Sequence, residues 1–278
     1  MREIAAEMAQ ACAAPPGCVW DASAPVEPLA PTLARHAQPD WDSRQARERV
    51  AAWTAQNLPA RVATGPAAVD LVQPHDPVDE IVATLLYPAT HLPFREIYEQ
   101  VAGWSAARKR EVIDVALEGR STREELLREF RSGYAFLFDI VTDIGAYRDL
   151  HRHRRCQQFC QEFTPAMGAE TPALVEAAGL GERYHAALAA ARTAAERVAE
   201  VSPEASRYLL PFATRLRCLF KMDFAEAEYI ARVRSGVKGH FSYRDIAWKM
   251  KEKLVEAIPE LGRLVEATPP WVEDTLKR

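Results

Sequence analysis

The sequence lacks any long uninterrupted hydrophobic run. No stretch approaches the 18 consecutive apolar residues that indicate a membrane span. The start, MREIAAEMAQACAAPPG, also lacks the basic region followed by an apolar core that is typical of a secretory signal. We therefore expect neither a membrane helix nor a signal peptide.

The sequence also lacks a disulfide pattern, an excess of basic residues and a glycine-rich phosphate loop. The five cysteines are an odd number without regular spacing, which argues against a disulfide framework and fits the reduced cytoplasm. The net charge of −4 lacks the basic excess that is typical of general DNA or RNA binders. No glycine-rich phosphate loop of the Walker or dinucleotide type occurs. Any bound nucleotide must therefore be held by a local cluster of cations.

The patterns that are present predict an α+β fold. At 278 residues, with 48% apolar and 27% charged residues, the chain is long enough for one large or two small domains with a real core. Cap residues and apolar spacing predict helices over 43–57, 77–86, 106–131 (interrupted at 119–122), 182–200, 224–235 and 242–257. Strands are predicted over 67–72, 134–144 and 212–222. Helices and strands occur in blocks, which favours an antiparallel sheet with packed helices.

The helix over 121–131 and the helix after Asp223 each carry a capping signal at the amino terminus. Ser121 or Thr122 is expected to cap the first, and Asp223 the second, with Glu226 at the capping-box position. Residues 1–40 are rich in alanine and proline and are predicted to form a loosely organised arm that packs on the body through Trp20. Residues 43–57 are expected to turn Val50 and Trp53 inward.

The last two predicted strands differ in how regularly they alternate. In 134–144, Tyr134, Phe136, Phe138 and Ile140 are predicted to share one face. In 212–222, apolar side chains alternate with cations, as a half-buried antiparallel strand requires. Its apolar face comprises Phe212, Thr214, Leu216, Cys218, Phe220 and Met222, and its polar face Arg215, Arg217 and Lys221.

The densest chemical feature is residues 147–155, YRDLHRHRR, directly after a predicted strand. Four arginines and two histidines within eight residues repel one another unless anions lie among them. Arginine binds phosphate bidentately, so a nucleotide phosphate or a pyrophosphate is a natural counter-charge. The alternative is a solvated basic loop whose arginines pair with Asp143 and Asp149.

Two other site types compete for the same segment. His151 and His153, with Cys156 and Cys160, resemble a zinc site in residue type, but arginines would oppose a dication and the spacing is not that of a finger. A cysteine and histidine nucleophile pair is the other alternative, although no acyl-transfer motif surrounds either cysteine. We expect no metal.

Further arginines lie at two other places. Arg207 precedes an apolar turn in RYLLP, and Arg232 and Arg234 gather with Lys238 where the last two helices meet. Cations at a helix C-terminus also complement its dipole, and that interpretation of Arg232 and Arg234 stays open.

Together these segments resemble the flavin-dependent thymidylate synthases. Arg152-His153-Arg154 matches the family's Arg-His-Arg triplet after a strand, and Arg207 to Pro211 matches its Arg-x-x-Leu-Pro segment. The order continues through Val233-Arg234 to 239–243, and upstream through 67–86 and the His91, Pro93, Phe94 turn. The resemblance covers roughly 67–98 and 134–260. It divides the chain into an added arm over 1–60 and a domain over 61–278 that carries a helical insertion over 99–133.

The resemblance implies a homotetramer with sites at subunit junctions, a bound FAD, and methylenetetrahydrofolate and NADPH as co-substrates. The nucleotide, UMP or dUMP, would be methylated at C5, and no DNA, RNA or membrane partner is implied. Arg234 would lie near the uracil and stabilise its anionic form. The implied substrate-binding residues are Arg152, Arg207, Arg234, Asp149, Glu162 and Thr164. The implied cofactor-binding residues are His153, Arg154, Lys238, His240, Asp223 and Tyr229.

The chain departs from the family in the loop after the triplet. Glu162 stands where the family has a serine near the nucleotide, and Thr164 where it has a phosphate-binding arginine. Asp149 and His240 each replace a glutamine. Acidic Glu162 and Asp149 suit a ribose hydroxyl, so UMP is included as a substrate. A specialised pathway such as nucleoside-antibiotic biosynthesis would suit this loop. The alternative function is a catalytically silent module that binds nucleotide or flavin.

Overall fold

The centre of the molecule is a four-stranded antiparallel sheet with the strand order β1-β2-β4-β3. The structure is a computed structural model that describes residues 2–13, 43–120 and 126–274. The strands are β1 (Ala68–Val72), β2 (Phe136–Asp143), β3 (Gln157–Cys160) and β4 (Arg215–Met222). All three neighbouring pairs are antiparallel, so the predicted α+β class is confirmed.

The helices lie before, between and after these strands. In the described residues, the helices before β2 are α1 (Arg2–Ala13), α2 (Ser43–Asn57), α3 (Pro77–Leu86), α4 (Phe94–Ala102) and α5 (Ala106–Leu117). Four lie between β2 and β4: α6 (Ile144–Leu150), α7 (Ala173–Ala177), α8 (Gly181–Ala199) and α9 (Pro203–Ser206). Three follow β4: α10 (Phe224–Arg234), α11 (Phe241–Ala257) and α12 (Pro259–Gly262). Single 3₁₀ turns cover Tyr87–Ala89, Arg128–Phe130, Pro165–Met167 and Arg207–Leu209.

One hydrophobic core lies between one face of the sheet and helices α2 to α5. Leu137, Phe159 and Leu219 supply the sheet side of this core. Val50 and Trp53 of α2 are buried in it, as the sequence predicted. Helix α2 is thus part of the core, whereas the boundary at residue 60 and the insertion over 99–133 stay predictions. Trp20 lies outside the described residues.

The second core covers the opposite face of the sheet. Phe138, Cys218 and Phe220 point into it and pack against α10 and α11. Helix α10 begins as predicted, because the Asp223 side chain accepts a hydrogen bond from the Glu226 amide at 2.9 Å. Helix α11 also matches its predicted range to within a residue.

The prediction that strand β4 is half-buried was wrong, because both of its faces are covered. It pairs on both edges, and its charged face lies under the helices of the first core. Lys221 is fully buried and forms an ion pair with Glu80, and Arg217 donates to Asp139 at 2.9 Å. The strand begins at Arg215, so Phe212, which is 59% exposed, lies outside it.

Three other predictions of local structure were wrong or incomplete. Tyr134 precedes β2 and packs against the first core, so it does not share the face of Phe136 and Phe138. Within 126–131 only Arg128–Phe130 form a 3₁₀ turn, and no α-helix is present there. The predicted cap at Ser121 or Thr122 lies outside the described residues. Strand β3 was not predicted.

Candidate functional site

The basic segment is a helix followed by a turn. Asp143, the last residue of β2, caps α6 by accepting from the Ala146 amide at 2.8 Å. Helix α6 ends when the His151 amide donates to the Tyr147 carbonyl at 2.7 Å. The carbonyl of His153 then accepts from the Gln158 side-chain amide at 2.7 Å. These bonds fix the Arg-His-Arg triplet between α6 and β3.

The middle residue of the triplet, His153, is buried. Its Nδ1 lies 3.3 Å from Glu226 Oε1, and its Nε2 accepts a hydrogen bond from Arg234 Nε at 2.8 Å. The ring of Tyr229 meets the His153 ring edge-on, with centroids 5.7 Å apart. Burial and the nearby Arg234 charge lower the His153 pKa to about 4. The imidazole is therefore neutral at pH 7, with Nδ1 carrying the proton and facing Glu226.

Arg152 and Arg154, on either side of His153, line a groove of about 730 Å³ beside β3. Arg47 and Arg128 line the same groove. Arg152 pairs with Asp149 at 3.2 Å. Arg154 pairs with no carboxylate of the described residues, so it is available to an anion in the groove.

A second groove, of about 680 Å³, continues along β3 and contains Arg207, His91 and Glu162. The two grooves share Arg47, Pro88, Glu129 and Cys160, so they form one trough. Arg207 forms an ion pair with Glu162, two residues beyond β3. A substrate anion that binds Arg207 must therefore compete with an internal carboxylate.

The buried Asp139 carboxylate holds the turn that carries His91 through hydrogen bonds. This carboxylate accepts from the Phe94 amide at 2.8 Å, from the Tyr87 hydroxyl at 2.8 Å and from Arg217 at 2.9 Å. Burial raises the pKa of Asp139, and Arg217 and these hydrogen bonds oppose the rise. Burial also lowers the pKa of His91. His91 was absent from the predicted site residues, although the His-Pro-Phe motif indicated its position.

The remaining predicted site residues are dispersed. Thr164 Oγ1 accepts from the Ala166 amide at 3.2 Å, and Asp223 caps α10 and pairs with Arg155 at 3.2 Å. Lys238 is exposed. His240 bonds to Ser242 Oγ at 2.7 Å and lies with Asp149 in a separate cavity of about 230 Å³.

One chain therefore brings together only part of the predicted nucleotide site. Arg152 and Arg207 line adjoining parts of the trough, whereas Arg234 lines neither groove and contacts His153 instead. The expectation that all three arginines bind one nucleotide stays a prediction, because the resemblance places the sites at subunit junctions.

The described residues form no alternative metal site, and Cys156 is poorly suited to act as a nucleophile. His151 Nδ1 lies 2.9 Å from Gln158 Oε1, and the Cys156 thiol donates to the His153 carbonyl. Within 2–13, 43–120 and 126–274, no three His, Cys, Asp or Glu side chains are placed to hold a metal ion. Burial raises the Cys156 pKa to about 11, which disfavours a thiolate. None of the helices in these ranges has the length and apolarity of a membrane span.

Comparison with known proteins finds one matching family. Residues 130–260 match the family described as thymidylate synthase complementing protein, which is the flavin-dependent thymidylate synthase family. The match covers just under half of the chain, which is similar to that family over these residues. The matched part contains the triplet, Arg207 and Arg234. It excludes His91, α2 and the segment that carries Arg128.

Curated relatives share modest identity with this chain. A UPF0159 protein of Chlamydia muridarum is 34% identical over 124 residues, 45% of this chain and 23% of the relative. UPF0159 proteins of Chlamydia pneumoniae and Thermoplasma acidophilum are 24% and 26% identical over 66% and 68% of this chain, and 35% and 38% of their own lengths. The chain thus covers well under half the length of each relative.

Proposed function

We propose that the protein is a flavin-dependent methylase that acts on C5 of a uridine monophosphate, UMP or dUMP. The observation that carries the proposal is the trough along β3, where Arg152, Arg154 and Arg207 line one continuous surface. All three arginines lie in the part of the chain that matches the thymidylate synthase complementing proteins. Because arginine suits phosphate geometry, this trough fits two phosphorylated ligands side by side. The two parts of the trough have volumes of about 680 and 730 Å³.

The proposal gives each end of the trough a ligand. FAD would lie at the end lined by Arg154, and the buried neutral His153 would hold the triplet in position through Glu226. The nucleotide phosphate would bind Arg207 and Arg152. Glu162, once displaced from Arg207, would accept hydrogen bonds from the sugar hydroxyls, which is the reason for including UMP.

The reaction replaces the C5 hydrogen of the uracil by a methyl group. When bound, reduced FAD supplies the hydride and methylenetetrahydrofolate supplies the carbon, with NADPH as the proposed reductant. A fixed cation beside the uracil stabilises the negative charge that makes C5 nucleophilic, and Arg234 is proposed for this role. C5 would bond to the methylene carbon, after which the C5 proton would be lost and the bond from that carbon to tetrahydrofolate would break. The hydride would complete the methyl group, and tetrahydrofolate would leave with a proton on its nitrogen.

A homotetramer with shared sites would bring Arg234 to the nucleotide of another subunit. The placement of Arg234 outside both grooves of its own chain supports this arrangement. Asp149, Thr164, Lys238, His240, Asp223 and Tyr229 remain proposed ligand contacts of the same assembled site.

The absorbance spectrum of the purified protein tests the proposal. We expect a yellow protein, or uptake of added FAD, and a shift of the flavin bands when UMP or dUMP is titrated. The Arg152→Gln variant should weaken the nucleotide response, whereas Arg110→Gln, an exposed arginine of α5, should not. A protein that takes up no flavin would reject the methylase.

A catalytically silent binding module is the second candidate. The Glu162–Arg207 ion pair favours it, because the Glu162 carboxylate already binds the guanidinium that is proposed to bind the substrate phosphate. Nucleotide binding without any response of added flavin would support this candidate over the methylase.

A further inference from the structure

Part of the cationic groove is built by residues that lie outside the family match. Arg128 belongs to the 3₁₀ turn that precedes β2, whereas the match begins at residue 130. This turn lies in the segment predicted to be an insertion. Arg128 nevertheless lines the same groove as Arg152 and Arg154.

The Arg128 guanidinium is held in place from two sides. Its Nη2 donates to the Gln158 carbonyl at 3.3 Å, and its Cζ lies 5.6 Å from the centroid of the Phe159 ring. Both partners belong to β3, so the segment before β2 is attached to the edge strand of the sheet. A guanidinium has five N–H donors, and this arrangement leaves most of them for a ligand.

The other arginines of the groove differ in how far they are neutralised. Arg47 donates to both oxygens of Glu129, at 2.8 and 3.2 Å, and Arg152 is paired with Asp149. Neither Arg128 nor Arg154 has a carboxylate partner in the described parts of the chain. Two solvent-exposed cations without a carboxylate partner in one groove therefore favour the binding of an anion that carries more than one charge.

We infer that Arg128 is a further cofactor-binding residue and that it contacts, together with Arg154, the diphosphate of the bound dinucleotide. This inference rests on the proposed function for the identity of the ligand. A diphosphate suits the site because its charges are spread over two linked groups, which two separate arginines can bind at once. The segment before β2 thus acquires a role in ligand binding.

The test compares Arg128→Gln with Arg110→Gln, which removes the same charge from an exposed position on α5. Affinities for FAD, riboflavin, ADP and UMP are measured by calorimetry or flavin fluorescence at fixed salt. We expect Arg128→Gln to weaken FAD and ADP about tenfold and to leave riboflavin and UMP unchanged, because only the first two carry a diphosphate. Arg110→Gln should bind all four as the wild type does.

Three outcomes overturn the inference: FAD and ADP affinities that do not change in Arg128→Gln, an equal loss for FAD and riboflavin, or a loss confined to UMP. The last would assign Arg128 to the nucleotide monophosphate. Unchanged circular dichroism and melting temperature ensure that the variant is folded. If the wild type bound no flavin, the proposed function would fail, yet a loss of ADP affinity in Arg128→Gln would still support a diphosphate-binding groove.

Discussion

At the scale of single residues, His153 links the triplet to α10 through a neutral ring. Burial and Arg234 lower its pKa to about 4, whereas the unfolded chain has the ordinary histidine value of about 6.5. Between these two values the unfolded chain binds a proton that the folded chain does not. The free energy of unfolding should therefore fall as the pH drops from about 6.5 to about 4.

This pH dependence is tested with His153→Gln, whose amide can donate to Glu226 and accept from Arg234. When the pH is lowered from 7 to 5, the free energy of unfolding measured in urea should fall by about 1–2 kcal/mol more in the wild type than in the variant. Glu226, whose pKa is raised by burial, titrates in the opposite sense but is present in both proteins. Equal losses in the two proteins would mean that His153 is not held neutral.

The second prediction at this scale concerns the contribution of Asp139 to stability, and Asp70 in the neighbouring strand serves as the control. Asp70 is the cross-strand partner of Asp139, but its ion pair with Arg95 is exposed to solvent. Asp139→Asn leaves Arg217 without its buried counter-charge and should cost about 3 kcal/mol. Asp70→Asn should cost less than about 1 kcal/mol.

Chemical unfolding of the two variants checks this difference. Because Asp139 also holds the His91 turn through the Phe94 amide, its variant should lose ligand affinity as well as stability. Similar stability losses in both variants would contradict the assigned role of the Asp139 network.

At the scale of secondary structure, Lys221 and Glu80 connect β4 to α3 inside the first core. Lys221 also donates to the Arg131 carbonyl at 2.6 Å. Lys221→Met would leave the Glu80 carboxylate buried without a cation, at a cost of about 3–5 kcal/mol. The double variant Lys221→Met, Glu80→Gln should recover at least half of that loss in urea unfolding. If the loss in the double variant equalled the sum of the losses in the two single variants, the two residues would not act as a pair.

Local signals were sufficient to predict several of these elements. Strand β1, helix α3 with its proline in the first turn, and the Asp223 cap of α10 follow from neighbouring residues alone. Strand β3 was missed because its four residues lack alternation and become a strand only through pairing with β4. The burial of Lys221 was not predictable, since its partner Glu80 is distant in the sequence.

The candidate site shows the same division between local and long-range information. The triplet and Arg207 stand in recognisable motifs, so both were identified from the sequence. Arg47 and Arg128 stand in no motif, and only the packing of their segments against β3 brings them to the groove. The neutralisation of Arg207 by Glu162 likewise depends on the folded chain.

At the scale of the whole molecule, the proposed assembly predicts complementation between inactive variants. Arg152→Gln and Arg234→Gln should each be inactive if both arginines contact the nucleotide. When subunits of the two variants are mixed under conditions that allow exchange, part of the activity should return. Some junctions then combine an intact Arg152 from one subunit with an intact Arg234 from the other. A mixture as inactive as its components would argue that each site is built within one chain.

The most direct test of the central claim is the transfer of labelled carbon to the nucleotide. Purified protein is incubated with FAD, NADPH, labelled methylenetetrahydrofolate and either UMP or dUMP, and the products are separated by mass spectrometry. The proposed function predicts a labelled 5-methyl nucleotide from at least one substrate, and UMP turnover would support the role of Glu162. A flavin-loaded protein that forms no methylated product from either nucleotide would contradict it.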